Sequence, residues 1–349
     1  MNINRIITEI LIFNMFWISA CIHEYGVNEP YINVFPDSRG VFILNEGNFM
    51  AGNGSISFYS TDSMKIYNEI FLKANGRPLG DVPNSMSIMD DKAFIVVNNS
   101  GKIEVTYCST MRSVAVMPGL ISPRHILFIN KNKAYVSSLY STKLLVINPA
   151  DYSIVKYVEL RRTSESMVLS GGKAYVSCWV GGDEIMVIDT MGDTVIDSIK
   201  VGHEPESMVI DRNGNLWVLC SGSYTGDFYP ELVLINTLTN RVEKKFQFGS
   251  RLMYPTCLRI DGRGDTLYYI EKSIWKMSIA SDKLPCEPFI RPASRNFYNI
   301  SIEPSGGRIF ATNAADYQQR GFLLIFRRDG TVADSVRAGI IPGFMCFKQ

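Results

Sequence analysis

The sequence predicts an all-β fold, a seven-bladed β-propeller built from four-stranded antiparallel blades. The first observation is residues 165–201, where four short runs rich in Val, Ile, Tyr and Met are separated by turn residues. Such runs favour half-buried strands. The second observation is that this unit of about 40 residues recurs along the chain, as a propeller repeat does. The third is that the two ends of the chain carry complementary parts of one further unit.

The recurring unit is clearest in its second strand, where an aliphatic residue is followed by an aromatic one. Copies of this strand occupy residues 93–97, 134–138, 174–178, 216–220, 267–271 and 309–313. We predict that their aromatic residues pack between neighbouring blades. These aromatic residues are Phe94, Tyr135, Tyr175, Trp217, Tyr268 and Phe310.

A seventh unit is divided between the two ends of the chain. Residues 41–45 have the pattern of a second strand with no first strand before them, and residues 342–347 have the pattern of a first strand with nothing after them. We therefore expect the C-terminal strand to pair with the N-terminal blade. This pairing closes the ring and removes the exposed sheet edges that invite aggregation. The propeller is predicted to span residues 40–349.

Residues 1–39 differ from the repeats. Arg5 precedes an apolar run at residues 10–20 that is too short to span a bilayer and is typical of a secretory signal peptide. Residues 18–21, Ile-Ser-Ala-Cys, have the pattern of a lipobox. We therefore predict a lipoprotein signal peptide at residues 1–21, lipidation of Cys21 and a tether at residues 22–39. The alternative is a plain secretion signal that is cleaved elsewhere.

Composition and motifs argue against several classes of function. A formal net charge of +1 provides no basic surface for nucleic acid. Three histidines are too few for most His-rich metal centres, and the chain has no G-x-S-x-G, P-loop or dinucleotide-binding glycine motif. The cysteines other than Cys21 form no C-x-x-C pair, so we interpret them as small buried side chains. We predict a protein that is not an enzyme and requires no cofactor or metal.

The connecting loops predict where a ligand binds. In a propeller, the loop after each second strand and the loop before each first strand lie on the same face. Long connections at residues 46–55, 221–231 and 313–321 therefore gather on one face, which we call the long-loop face. They are rich in Asn, Gly, Tyr and Phe, which suit a large, flat, partly polar ligand. The predicted ligand-binding residues are Asn45, Glu46, Asn48, Phe49, Asn98, Arg124, His125, Tyr140, Glu165, Trp179, Glu206, Tyr224, Phe228, Tyr229, Tyr254, Lys272, Tyr298, Asn313, Tyr317 and Phe344.

Four glutamates leave a different class of function open. Glu46, Glu165, Glu206 and Glu271 are expected near the propeller axis, where carboxylate oxygens could hold Ca²⁺. Such a site would indicate a Ca²⁺-dependent propeller lactonase or lyase. A protein-interaction scaffold at the cell surface is a further alternative.

The repeat also resembles a known family. Its Pro/Glu-x-Ser-Met-x-Ile, Ala-Tyr-Val-Ser and Val-Ile-Asp runs resemble the YncE-like or surface-layer (YVTN) propellers over roughly residues 40–347. With the lipobox and residues 42–48, Phe-Ile-Leu-Asn-Glu-Gly-Asn, the chain resembles the BtuG-type surface lipoproteins of gut Bacteroidetes. This resemblance implies a protein lipid-anchored to the outer membrane, on the cell surface or facing the periplasm. It also implies capture of cobalamin or a related corrinoid and transfer to a TonB-dependent transporter. No individual binding residue is carried over from that family.

Overall fold

The computed structural model describes residues 33–348. The predicted signal peptide, the lipidated Cys21 and most of the predicted tether lie outside the described residues. Within residues 33–348 the regular secondary structure is almost entirely β-strand, with one short helix, α1 (Ile70–Asn75). No helix in this part of the chain has the length and apolar character needed to cross a membrane.

The strands in chain order are β1 (Gly40–Asn45), β2 (Ser55–Ser60), β3 (Lys65–Tyr67), β4 (Pro83–Met89), β5 (Lys92–Val97), β6 (Lys102–Tyr107), β7 (Ser113–Met117), β8 (Pro123–Asn130), β9 (Lys133–Ser138), β10 (Lys143–Asn148), β11 (Ser153–Glu159), β12 (Met167–Ser170), β13 (Lys173–Cys178), β14 (Glu184–Asp189), β15 (Thr194–Lys200), β16 (Pro205–Ile210), β17 (Leu216–Cys220), β18 (Glu231–Asn236), β19 (Arg241–Gln247), β20 (Thr256–Ile260), β21 (Thr266–Glu271), β22 (Ser273–Ser278), β23 (Phe297–Ile302), β24 (Ile309–Asn313), β25 (Arg320–Phe326), β26 (Val332–Ile340) and β27 (Pro342–Lys348).

These strands form seven antiparallel sheets, which are the blades of a seven-bladed propeller. Blade 1 is β27-β1-β2-β3, and blades 2 to 7 follow as β4–β7, β8–β11, β12–β15, β16–β19, β20–β22 and β23–β26. We call β27, β4, β8, β12, β16, β20 and β23 the inner strands. Each inner strand contacts the next around the axis, and β23 of the last blade contacts β27 of the first. The predicted fold is confirmed.

The ring closes as predicted, by pairing the C-terminal strand with the N-terminal blade. Strand β27 runs antiparallel to β1, with Val41 opposite Phe347 and Ile43 opposite Met345. Met345 is 4% exposed and lies in a buried cluster with residues of blade 7. Phe347 packs edge-on against Phe310 of blade 7 at 5.3 Å between ring centroids. The closing strand therefore joins its own blade to the preceding one.

Blade 6 differs from the predicted four-stranded pattern because it has three strands. In place of a fourth strand, the segment after β22 makes a single antiparallel bridge between Ile274 and Ile290. Three prolines, Pro285, Pro288 and Pro292, occupy this segment. Proline has no backbone N–H and cannot donate to a strand ladder, so a continuous outer strand does not form.

The folded unit begins before residue 40, the predicted end of the tether. Phe35 is 2% exposed and packs against Phe42 and Phe58 of blade 1, with ring centroids 5.9 and 4.8 Å away. Asp37 forms an ion pair with Lys348, next to the closing strand's end. The compact unit accordingly starts at Val34, because an aromatic side chain of the predicted tether belongs to the core.

The aromatic residues of the second strands are buried between blades, as predicted: Phe94, Tyr135, Tyr175, Trp217, Tyr268 and Phe310 are at most 3% exposed. The hydroxyl of Tyr175 donates to the carbonyl of Thr237 in the next blade at 3.0 Å, so its polar end is satisfied. The prediction that the cysteines are buried holds for Cys108, Cys178, Cys220 and Cys257, is only partly met by Cys346, which is half-buried, and is wrong for Cys286, which is exposed. Cys286 lies in the proline-rich segment that replaces the fourth strand of blade 6.

Candidate functional site

A cavity of about 840 Å³ lies on the propeller axis. All seven inner strands contribute to its lining, so it is a product of the closed ring rather than of any single blade. Its wall combines charged side chains, aromatic rings and the apolar side chains of Met167, Met208 and Leu258. We call it the axial cavity.

A β-bulge near the start of the inner strands turns side chains into the axial cavity. In β4, β16 and β23 the pairing register shifts around a single residue, which is Asn84, Glu206 and Tyr298 respectively. In β8 the shift leaves both Arg124 and His125 outside the regular pairing. These residues all line the cavity. Because a bulge re-aims the side chains of its extra residues, this repeated irregularity builds the site.

Four inner strands begin with a second shared feature, a residue with positive φ followed by proline. The pairs are Val82-Pro83, Ser122-Pro123, Glu204-Pro205 and Ile341-Pro342. The carbonyl of the first residue accepts the N–H of the residue that follows the second strand of the same blade, at 2.8 to 3.0 Å. This bond ties together the two loops that form the long-loop face in each of these blades.

The strongest polar contact in the cavity is the ion pair between Arg124 and Glu165. Arg124 Nε and one terminal nitrogen each donate to Glu165 at 2.7 Å, and the side chains are 18% and 7% exposed. His125 Nε2 lies 3.4 Å from the same carboxylate. Burial alone would raise the pKa of Glu165, but the charge of Arg124 and the hydrogen bonds from His125 and Arg124 lower it to about 2. Glu165 is therefore ionised and neutralised within the cavity wall.

Glu46 has a different environment in the same cavity. Its two carboxylate oxygens accept a hydrogen bond from the hydroxyl of Tyr298 at 2.9 and 3.0 Å. No cationic side chain of residues 33–348 forms an ion pair with it. Burial raises the pKa of Glu46, and the Tyr298 bond and the more distant charge of Arg124 offset this only in part. Its ionised form is therefore disfavoured in the folded state.

The substitution Glu46→Gln is expected to stabilise the protein at pH 7. A raised folded-state pKa means that the folded state binds more protons than the unfolded state above about pH 4.5. The free energy of unfolding therefore falls as pH rises and Glu46 has to ionise. Glutamine keeps a hydrogen-bonding amide and removes that loss. Urea denaturation should show a higher midpoint for the variant at pH 7 and a smaller difference at pH 4. Glu271→Gln, outside the cavity, is the matched control; an equal or lower midpoint for Glu46→Gln at pH 7 would contradict the expectation.

The wall formed by blade 6 carries cations without carboxylate partners. Arg259 donates to the carbonyl of Leu258 at 2.9 Å and to Oδ1 of Asn299 at 3.3 Å, and both acceptors are neutral. Lys272 lies at the tight turn between β21 and β22, where it is exposed and lines the cavity. It has no ion pair with any of residues 33–348. Sequence reasoning predicted Lys272 but missed Arg259 and Asn299.

The structure brings eleven of the predicted ligand-binding residues to the axial cavity, and these are Glu46, Arg124, His125, Glu165, Trp179, Glu206, Tyr254, Lys272, Tyr298, Tyr317 and Phe344. Three predicted residues instead support loops. Asn45 is fully buried, donates to Ser57 Oγ at 3.0 Å and accepts from the N–H of Gly339, so its predicted ligand contact is wrong. Asn98 donates to Ser122 Oγ and to the carbonyl of Pro123 at the start of blade 3, and Asn313 accepts the backbone N–H groups of Asn296 and Ala315; neither residue lines the cavity.

The remaining predicted residues surround the cavity on the long-loop face. Asn48 donates to the carbonyl of Tyr317 at 3.0 Å, and Phe49 and Tyr140 are 70% and 74% exposed. Tyr224 is 89% exposed and stands edge-on to Tyr254 of the cavity wall at 6.0 Å. Two further rings belong to the same loop: Phe228 stacks on His203 at 4.1 Å, and Tyr229 lies under the Arg251 guanidinium. These exposed rings offer contact area beyond the cavity itself.

The four glutamates proposed for Ca²⁺ do not converge. Glu165 is paired with Arg124, and Glu206 accepts the backbone N–H of Cys257 at 2.9 Å. Glu271 does not line the axial cavity. Among residues 33–348 no group of three or more His, Cys, Asp or Glu side chains is placed to hold a metal ion. The Ca²⁺-dependent alternative therefore lacks a ligand set in this part of the chain.

Solved structures with the same architecture come from several bacteria. A quinonprotein alcohol dehydrogenase-like protein from Bacteroides thetaiotaomicron superposes with a TM-score of 0.72 at 15% identity, over 90% of this chain and 79% of that one. A functionally unknown protein from Desulfotomaculum acetoxidans gives 0.65 at 13% identity, over 89% and 99%. A putative 6-phosphogluconolactonase from Bacteroides uniformis gives 0.64 at 12% identity, over 89% and 100%. At these identities the similarity supports the fold alone.

Sequence comparison identifies the family. No curated protein matches the sequence significantly. The family DUF5074, described as a domain of unknown function, matches residues 39–321, which contain β1 to β24 and the first two residues of β25. The chain therefore belongs to the DUF5074 family of β-propellers.

Proposed function

We propose that this chain is a non-enzymatic binding protein that captures a small-molecule ligand on the long-loop face. The observation that carries the proposal is the axial cavity of about 840 Å³, because small-molecule sites commonly measure about 300–1,000 Å³. Its wall is partly apolar, with aromatic rings and a few convergent polar groups, as such sites usually are. The repeated bulges of β4, β8, β16 and β23 direct side chains from four blades toward one ligand volume.

Binding fits the polar groups of the cavity better than catalysis does. A general base needs a free carboxylate or imidazole within reach of the substrate. Glu165 is held by Arg124 and has a pKa lowered to about 2, so it is a weak base. Glu206 accepts the N–H of Cys257, and Glu46 accepts the hydroxyl of Tyr298. The carboxylates thus support the wall of the cavity.

The proposed cargo is a corrinoid such as cobalamin, as the family resemblance implies. A corrinoid is too large to enter the cavity completely, so we propose that it lies across the mouth against exposed rings such as Tyr224 and Phe228. Aromatic side chains supply such contact area at a low cost in conformational entropy. Anchoring through Cys21 at the outer membrane and transfer to a TonB-dependent transporter belong to the same proposal.

Calorimetric titration with cyanocobalamin tests the cargo. Binding at micromolar concentration or tighter is expected, and replacing both Tyr224 and Phe228 by Ala should weaken it by about tenfold or more, because two exposed aromatic contacts are lost. Leu238→Ala is the matched control, since Leu238 is 90% exposed and lies on the opposite face, between β18 and β19. An absence of heat at micromolar cyanocobalamin would remove the corrinoid from the proposal.

A further inference from the structure

We infer that the axial cavity recognises an organic oxyanion, a carboxylate or a phosphate group, at the wall formed by Arg259 and Lys272. The inference rests on the proposed capture function and deepens it by naming the chemical class of the ligand. The ligand would carry one anionic end and an apolar or aromatic body.

The first argument is the environment of Arg259. A guanidinium is always charged and has five N–H donors. Arg259 is half-buried, and its two hydrogen bonds go to the neutral oxygens of Leu258 and Asn299. A cation that is partly removed from water and lacks a counter-ion is costly. An oxyanion entering the cavity would supply the missing charge and could accept two parallel bonds from the planar guanidinium.

The second argument is a comparison within the same cavity. Arg124 also lines the wall, but its guanidinium is paired with Glu165, to which it donates two hydrogen bonds of 2.7 Å. The two arginines therefore differ in one respect: the protein supplies a carboxylate to Arg124 and none to Arg259 among residues 33–348. A ligand oxyanion at Arg259 would reproduce the pairing that the protein builds at Arg124.

The third argument is the backbone at Lys272. Its φ is +54°, in the left-handed region that glycine adopts without a steric penalty and that other residues rarely occupy. The strained turn places a second positive charge at the mouth of the cavity, on the same blade as Arg259. Lys272 would attract the anion, and Arg259 would hold it.

The rest of the wall orients such a ligand. Glu206 lies on blade 5, next to blade 6, and Glu46 follows β1 of blade 1; neither forms an ion pair within residues 33–348. The carboxylate of Glu206 disfavours a second negative charge beside it. Met208, Leu258 and Phe344 offer apolar surface for the ligand body. The wall therefore fits one anionic end rather than a polyanion.

Two fluorescent probes with the same aromatic body test the inference. 1-Anilinonaphthalene-8-sulfonate carries an oxyanion, and N-phenyl-1-naphthylamine is its neutral counterpart. In fluorescence titrations of the purified protein, the anionic probe should bind about tenfold or more tightly than the neutral one, as expected for a charge-assisted hydrogen bond. Arg259→Gln should remove this preference and leave the affinity for the neutral probe within about twofold.

Lys272→Gly gives a second variant that removes charge while relaxing the strained turn, so a loss of anion affinity cannot be attributed to misfolding. Lys244→Gln, an exposed change on β19 with the same loss of charge, is the matched control and should leave both affinities unchanged. Displacement of the anionic probe by benzoate would identify a carboxylate site, and displacement by phenyl phosphate a phosphate site. Benzyl alcohol, the neutral competitor, should not displace the anionic probe.

The outcomes separate this inference from the proposed function. If both probes bind equally, or if Arg259→Gln weakens both equally, the oxyanion inference is overturned while ligand capture stands. If neither probe binds but cyanocobalamin does, the oxyanion inference is overturned and ligand capture stands; if neither probe nor cyanocobalamin binds, the capture function fails as well. Loss of anion preference in Arg259→Gln and Lys272→Gly, with the Lys244→Gln control unchanged, supports the inference whether or not cyanocobalamin is the cargo.

Discussion

Ending the chain at Ile341, which removes β27, is expected to abolish cooperative folding of the propeller. This strand is the inner strand of blade 1, and it joins that blade to blade 7 through Met345 and Phe347. Truncating a buried residue such as Met345 to Ala alone costs about 2–5 kcal/mol. A whole protein is stabilised by only about 5–15 kcal/mol. The stability lost with the whole strand should therefore exceed the total stability of the protein. Removing β27 would also expose the edge of β1.

Circular dichroism during thermal unfolding measures this effect. The truncated chain should show no sharp transition, whereas the full chain should. Two point variants of β27 form a matched pair: Met345→Ala, at a position 4% exposed, should cost about 2–5 kcal/mol, and Phe344→Ala, at a half-buried position facing the cavity, should cost less. A truncated chain that melts as the full chain does would show that closure contributes little.

Breaking the buried ion pair between Arg124 and Glu165 is expected to have the second-largest effect. Arg124→Met and Glu165→Leu should each cost about 3–5 kcal/mol, because each leaves an uncompensated charge in the cavity wall. The double variant should cost much less than the sum, since no unpaired charge remains. Urea denaturation of the two single variants and the double variant gives the coupling energy. Single-variant costs that simply add, within about 0.5 kcal/mol, would show that the two residues do not stabilise each other.

The ion pair between Arg124 and Glu165 also predicts that the protein loses stability at acidic pH. The pKa of Glu165 is lowered from 4.5 to about 2 on folding. A lowered pKa stabilises the folded state above about pH 4.5, and this contribution of about 3 kcal/mol is lost as pH falls toward 2. The wild-type protein should therefore lose more stability than Glu165→Gln over this interval. Identical acid titration curves for the two proteins would contradict the lowered pKa.

Sequence reasoning predicted the architecture because the repeat and the divided unit are written in local residue patterns. The aromatic second position, from Phe94 to Phe310, recurs once per blade and is buried in each copy. The sequence also contains the signal for the missing fourth strand of blade 6, because Pro285, Pro288 and Pro292 interrupt that segment. The repeat alone predicts four strands in every blade, but these prolines lack the N–H groups that a fourth strand of blade 6 would need for pairing.

The candidate site was predicted only in part, because bulges depend on how two strands pair. Loop position brought eleven predicted residues to the axial cavity, but it did not distinguish Asn45, which is buried in a hydrogen-bond network, from its neighbour Glu46, which faces the cavity. Arg259 was missed because the predicted residues come from loops and strand ends, whereas Arg259 lies within β20. Alternation along β20 beyond its bulge would have placed it on the axis. The pairing of Arg124 with Glu165 joins two blades and has no signature in either segment alone.

Closure by β27 also sets when the site comes into existence. Every other strand of the propeller precedes β27 in the sequence, so during translation β27 is the last of them to leave the ribosome. Phe344 on this strand completes the wall of the axial cavity. A nascent chain that lacks only these residues therefore has no finished axial cavity, and the cavity forms only after synthesis has passed this point.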